Sequence, residues 1–292
     1  MFSYRSIGLL FILWIIIGCN KVNEEISQKL VIGVVGYGEK NRSFEQHSDL
    51  QDYLSIKLKS IVEVEPAYNE IQAIKQIAEQ RWDLAFASPG LAAIAIYQHQ
   101  YQPILPLEGV EEVRSVIVTN HETPFKTHKD LNGASIALGQ QGSATSYYLP
   151  IYNLYGLTLQ KVLFSPTPQT SLKWLEKGKV VAAALSLQEY NKYRQDFKPE
   201  QFRIIHIDSH IIPPGAIIVS TKISPSKIQL IKKALAEAPS HIAASSKFLP
   251  NERPSEYKYL DRVIEKVKSI SQRIGEQPAL FYEQKKEKAV SR

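Results

Sequence analysis

The stretch with the clearest chemical content is residues 138–150, LGQQGSATSYYLP. Ser143, Thr145 and Ser146 place three hydroxyls within four positions, directly after the glycines Gly139 and Gly142. An apolar run, 134–138, leads into them, and aromatic and apolar residues follow. A strand that passes through a glycine turn into a hydroxyl-rich helix start suits an oxyanion. The first N–H groups of a helix lack internal partners and lie at the positive end of its dipole. Ser and Thr are equally ordinary N-caps. These residues alone therefore leave capping and anion binding both open.

The elements that must hold these hydroxyls alternate along the chain. Strand-like runs at 30–35, 61–64, 82–87, 113–119, 134–138, 180–185, 203–207 and 216–220 are interleaved with helix-like periodicity at 49–58, 69–81, 91–98, 147–154, 170–177, 225–238 and 257–273. This order predicts an α/β protein with a largely parallel sheet. The GVVGYG run at 33–38 has its glycines spaced in the reverse of a dinucleotide-binding turn, so it reads as a strand whose loop, with Tyr37, faces a ligand cleft.

Composition narrows the class. The 292 residues suffice for two lobes with real cores, and 44% hydrophobic with 22% charged residues is ordinary for a globular chain. The net charge of +6 suits an anionic ligand. Basic residues are interleaved with acidic ones except at Lys285–Lys288, so no nucleic-acid surface is expected. Arg5, the apolar run 7–17 and then Gly18-Cys19 have the length of a signal-peptide core, too short to span a bilayer. Ile16-Ile17-Gly18-Cys19 is similar to a bacterial lipobox, and Cys19 is the single cysteine. The expectation is a signal peptide over 1–18, a lipidated Cys19, a polar tether over 19–29, and a monomeric protein held to a membrane outside the cytoplasm. His206, Asp208 and His210 alternate on one strand face, but no fourth ligand accompanies them, so no metal is expected. No G-x-S-x-G elbow is present, no nucleophile–base pair stands out, and no cofactor is expected.

Several segments together resemble one family. Residues 82–89, WDLAFASP, are similar to its "vDlaf-x-gP" segment; Asp130-Leu131-Asn132-Gly133 with Ile136-Ala137 is similar to "dLkGk-x-ia". Residues 143–150 match the spacing of "S-T/A-S-G-x-L-x-P", Gly178-Lys179-Val180 resembles "GkvD", and 209–213 resembles "S-x-x-IP". The resemblance is to the phosphate/phosphite/phosphonate-binding proteins of ABC importers, PhnD-like members of the type II periplasmic binding proteins. It implies two α/β lobes, 28–115 with 215–292 and 116–214, joined by two crossing strands around a ligand cleft. It further implies that Ser143 and Thr145 offer hydroxyls, that the amides of Thr145 and Ser146 point at the ligand, and that Ser88 and Tyr37 close from the first lobe. The loaded form would dock on a membrane permease.

The departures bear on the ligand. Thr145 and Ser146 stand where the family usually has serine and glycine, Val181 replaces the aspartate of "GkvD", and no acid follows Pro213. The place of a frequent histidine falls near Pro168. With these acids missing, the resemblance favours a small compact oxyanion over an aminophosphonate, with Gln188 and Glu189 near one acidic position. A ligand-sensing partner of a receptor kinase and an extracytoplasmic enzyme on the same scaffold remain as alternatives.

Overall fold

The computed structural model describes residues 29–36, 45–109 and 113–283. The signal peptide, Cys19, Tyr37 and the Lys285–Lys288 cluster lie outside the described residues. In chain order the elements are β1 (Leu30–Val35), α1 (Ser48–Leu58), β2 (Val62–Ala67), α2 (Glu70–Ala78), β3 (Leu84–Ala87), α3 (Pro89–Gln98), β4 (Tyr101–Pro106) and β5 (Ser115–Asn120). They continue with β6 (Ser135–Leu138), a π-helical turn (Ala144–Tyr148), α4 (Leu149–Asn153), β7 (Thr158–Leu159), β8 (Lys161–Phe164), α5 (Pro168–Glu176), β9 (Ala182–Ser186), α6 (Leu187–Tyr193) and β10 (Phe202–Ile207). The chain closes with β11 (Ala216–Ser220), α7 (Pro225–Ala236), α8 (Ser240–Ser246), α9 (Lys258–Ser271) and β12 (Ala279–Leu280).

Two five-stranded sheets form, ordered β2-β1-β3-β11-β4 and β10-β5-β9-β6-β8. Each is less purely parallel than alternation alone predicts. β1 pairs parallel with β2 and β3, but β11 enters antiparallel between β3 and β4. Likewise β6 pairs parallel with β8 and β9, and β5 runs antiparallel between β9 and β10. The reason is connectivity. The chain leaves the first sheet after β4, builds the second from β5 to β10, and returns as β11. Each sheet thus receives one strand through a crossing rather than a local turn. The crossing segments run side by side, with an antiparallel bridge between Val113 and Ile212.

The core follows from these faces. Trp82 is fully buried against Gly33, where a Cβ would overlap the indole. Helix α3 is buried from Gly90 to Ala95, and its alanines let both neighbouring layers approach closely. Helix α9 presents Leu260, Val263, Ile264, Val267 and Ile270 as one apolar stripe. That stripe lies over the seam, against α3 and α4, and β12 pairs with β7. The last described strand, β12, thereby straps the end of the segment expected in the first lobe to β7, which lies within the expected second lobe. Fully burying each such Ile, Leu or Val contributes about 1.5–3 kcal/mol.

Candidate functional site

Where strands of the second sheet end, helices begin, and their starts converge on one cavity of about 370 Å3. Beyond β6, Ser143 caps the π-helical turn and its Oγ accepts the Ser146 N–H at 3.2 Å. The turn is π rather than α because Tyr148 N–H reaches back to Ser143 O and Leu149 N–H to Ala144 O. Pro150 contributes to this, having no N–H to offer the Ser146 carbonyl. That carbonyl instead accepts the Gly139 N–H at 2.9 Å. The single regular helix expected over 147–154 is thus a π turn followed by the short α4.

Beyond β8, Ser165, Pro166 and Thr167 line the cavity, and Thr167 caps α5 with Pro168 at its first position. Ser165 and Ser171 are buried, and their hydroxyls bond each other at the base of that wall. Beyond β9, Ser186 and Glu189 form a capping box on α6, and Glu189 faces the cavity with one oxygen holding the Ser186 N–H at 2.8 Å. From the first half of the molecule a single described residue reaches the wall: Glu70, the first residue of α2, 2% exposed.

The predicted residues separate on this geometry. Ser143 and Ser146 line the cavity. The Thr145 side chain is not on the wall; its carbonyl accepts the Ser115 hydroxyl. Ser88 also stands off the wall, since its hydroxyl donates to Glu70 Oε1 at 2.9 Å. Acids do stand on the wall: Glu70 and Glu189 both line the cavity, while no described wall residue is Lys or Arg. Glu70 escaped notice because a carboxylate at a helix start is also a common dipole partner. Ser165, Thr167 and Ser171 were legible only as a Ser/Pro/Thr turn ahead of a helix.

The two halves meet at the backbone beside this cavity. A Cβ on Gly90 would overlap the Gly142 carbonyl oxygen and come within 2.9 Å of Ala144 N. Gly142 itself has φ +112°, a conformation that a side chain opposes. The alternating residues His206, Asp208 and His210 contact other protein groups. Asp208 is buried and accepts from Asn153 Nδ2 at 2.7 Å and from the His210 N–H at 2.8 Å, while His206 packs on His128 with ring centroids 4.2 Å apart. Among the described residues no group of three can hold a metal, and no helix is long and apolar enough to cross a membrane.

Comparison with known proteins agrees with this architecture. Residues 32–252 match the family model for the periplasmic substrate-binding protein of phosphonate ABC transporters. Among solved structures, a Xanthomonas citri protein bound to chloride ion superposes with a TM-score of 0.70 at 18% identity, over 82% of this chain and 99% of that one. PhnD1 from Prochlorococcus marinus in complex with methylphosphonate gives a TM-score of 0.61 at 17% identity, over 84% and 100%. A binding component of a phosphonate ABC transporter from Pseudomonas aeruginosa gives 0.61 at 14%, over 85% and 87%. No curated protein matches the chain in sequence. At these identities the neighbours establish the fold, and the family match establishes the class: a binding protein rather than an enzyme, extracytoplasmic, with a small-molecule ligand and a membrane permease as partner. The chain belongs to the phosphonate-type periplasmic substrate-binding proteins of ABC transporters.

Proposed function

We propose that the protein captures a small phosphorus oxyanion that also carries a proton-bearing group, and delivers it to its permease by closing two lobes on it. The ligand is of the phosphate, phosphite or phosphonate type. The observation that carries this reading is the composition of the cavity wall. Hydroxyls and helix starts surround about 370 Å3, and the only formal charges on the described wall are the carboxylates Glu70 and Glu189. Helix starts and hydroxyls donate to an anion. Ionised carboxylates only accept, so they repel a fully deprotonated anion and suit a P–OH or an ammonium group on the same ligand. Sulfate, without a proton at neutral pH, answers only half of the wall. The lobes are 28–115 with 215–292 and 116–214, apart from the C-terminal strap described above, and closure is of the hinge type. Cys19 carries the lipid anchor, supported by the lipobox-like residues before it.

A thermal-shift panel tests the ligand. It compares phosphate, phosphite, hypophosphite, methylphosphonate, 2-aminoethylphosphonate, arsenate and sulfate. A ligand that binds the native state alone raises Tm, by about 2.7 kcal/mol of added stability at a hundred times Kd. At least one phosphorus oxyanion with a proton-bearing group is expected to shift Tm, with sulfate leaving it unchanged. No shift with any anion removes the oxyanion reading, and an equal shift with sulfate removes the role of the two carboxylates.

A further inference from the structure

We infer that Ser146 is a positioning residue that fixes the Ser143 hydroxyl as a donor to the bound oxyanion, an inference that rests on the oxyanion reading above. A serine hydroxyl has one proton to give and two lone pairs with which to accept. Both accepting positions of Ser143 Oγ are taken by the same neighbour: the Ser146 N–H at 3.2 Å and the Ser146 O–H at 2.7 Å. The Ser143 proton must then point elsewhere. Among the described residues it meets no acceptor, and both serines face the cavity.

The surrounding backbone holds Ser146 to this task. Gly139 leaves the space its hydroxyl occupies, since a Cβ there would overlap Ser146 Oγ. The Gly139 N–H bonds the Ser146 carbonyl at 2.9 Å. A hydroxyl restricted to donation is complementary to a deprotonated oxygen and mismatched to a P–OH. The cavity is thereby polarised. A deprotonated ligand oxygen sits against Ser143, and the proton-bearing group faces the carboxylate walls.

A double-mutant cycle tests this by calorimetry, with methylphosphonate, inorganic phosphate and 2-aminoethylphosphonate as probes. Ser146→Ala is expected to bind the best probe about ten-fold more weakly, the scale of one hydrogen bond to a charged group. Because Ser146 acts through Ser143, the same change made in a Ser143→Ala background is expected to cost nothing further. Ser146→Thr keeps both donors and is expected to retain affinity within about three-fold. In Ser146→Ala the freed lone pair on Ser143 also admits a P–OH, so affinity depends less steeply on the probe's second ionisation than in the parent. Parent-like binding by Ser146→Ala, or an equal loss in the Ser143→Ala background, overturns the positioning role while leaving the oxyanion reading in place. A parent protein that binds none of the probes overturns both.

Discussion

Two serines open helical segments on opposite sides of the seam, and their hydroxyls end in opposite states. Ser88 follows β3 and precedes Pro89, and its side chain makes no cap on α3. Its proton goes to Glu70 Oε1 at 2.9 Å. Ser143 follows the loop after β6 and does cap its turn. There the lone pairs are engaged, by the Ser146 N–H and O–H, and the proton faces the cavity. Both positions read alike as a small hydroxyl residue between a strand and a helix. What differs is which part of the hydroxyl its neighbours use. A hydroxyl whose proton is committed to protein offers a ligand only lone pairs, whereas one whose lone pairs are committed offers only a proton. The second arrangement suits an anion, and the first orients a carboxylate.

The contact between these two starts gives the largest expected effect. Gly90→Leu forces side-chain atoms into the Gly142 carbonyl and Ala144 N, backbone groups that cannot turn aside. The cost is about 3 kcal/mol, or roughly a hundred-fold in affinity. Calorimetry on a variant whose circular dichroism matches the parent checks it. Parent-like affinity would mean that the bound state does not bring Gly90 against Gly142.

The comparison itself is sharpened by two alanine variants. Ser143→Ala is expected to weaken binding of the best probe by about ten- to one-hundred-fold, from the loss of a donor to a charged group. Ser88→Ala is expected to stay within about three-fold, because its proton already belongs to Glu70. Equal losses from the two would erase the distinction.

An effect on stability rather than on affinity concerns the support beneath the Ser88 start. His47 is 5% exposed and lies against Phe86 of β3, with ring centroids 4.5 Å apart. Burial lowers its pKa to about 4. A folded-state value below the unfolded one means that the unfolded chain takes up the extra proton first as pH falls. Stability is therefore unaffected above about pH 7 and declines through the interval down to about pH 4, by about 2 kcal/mol between pH 7 and pH 5. Urea midpoints at those two pH values are expected to converge in His47→Gln. An unchanged pH dependence in that variant would place the titration elsewhere.

Much of the fold was legible because local chemistry and tertiary role agree. The runs at 30–35 and 216–220 are strands with those bounds, and the α9 stripe follows helical spacing. Where the two disagree, the sequence misleads. β4, YQPILP, carries two prolines and does not read as a strand; it is one because it lies at a sheet edge, where missing N–H donors matter less. Pro150 was compatible with an early helical turn, yet it also frees a carbonyl for Gly139 and shapes the π turn.

The sequence by itself determined the alternation of strands and helices, the hydroxyl-rich start at Ser143, and enough ordered segments to indicate the family. These depend on residue type and spacing within a few positions, which the chain carries wherever it folds. Only the tertiary structure decided which hydroxyl faces the cavity with its proton, that Glu70 and Glu189 stand on its wall, and that Thr145 and Ser88 do not. That Ser88 and Thr145 stand off the wall depends on partners 18 and 30 residues away, Ser88 with Glu70 and Ser115 with Thr145. A hydrogen-bonding group's function is the capacity its neighbours leave unused, and such distant neighbours are set by packing rather than by local pattern.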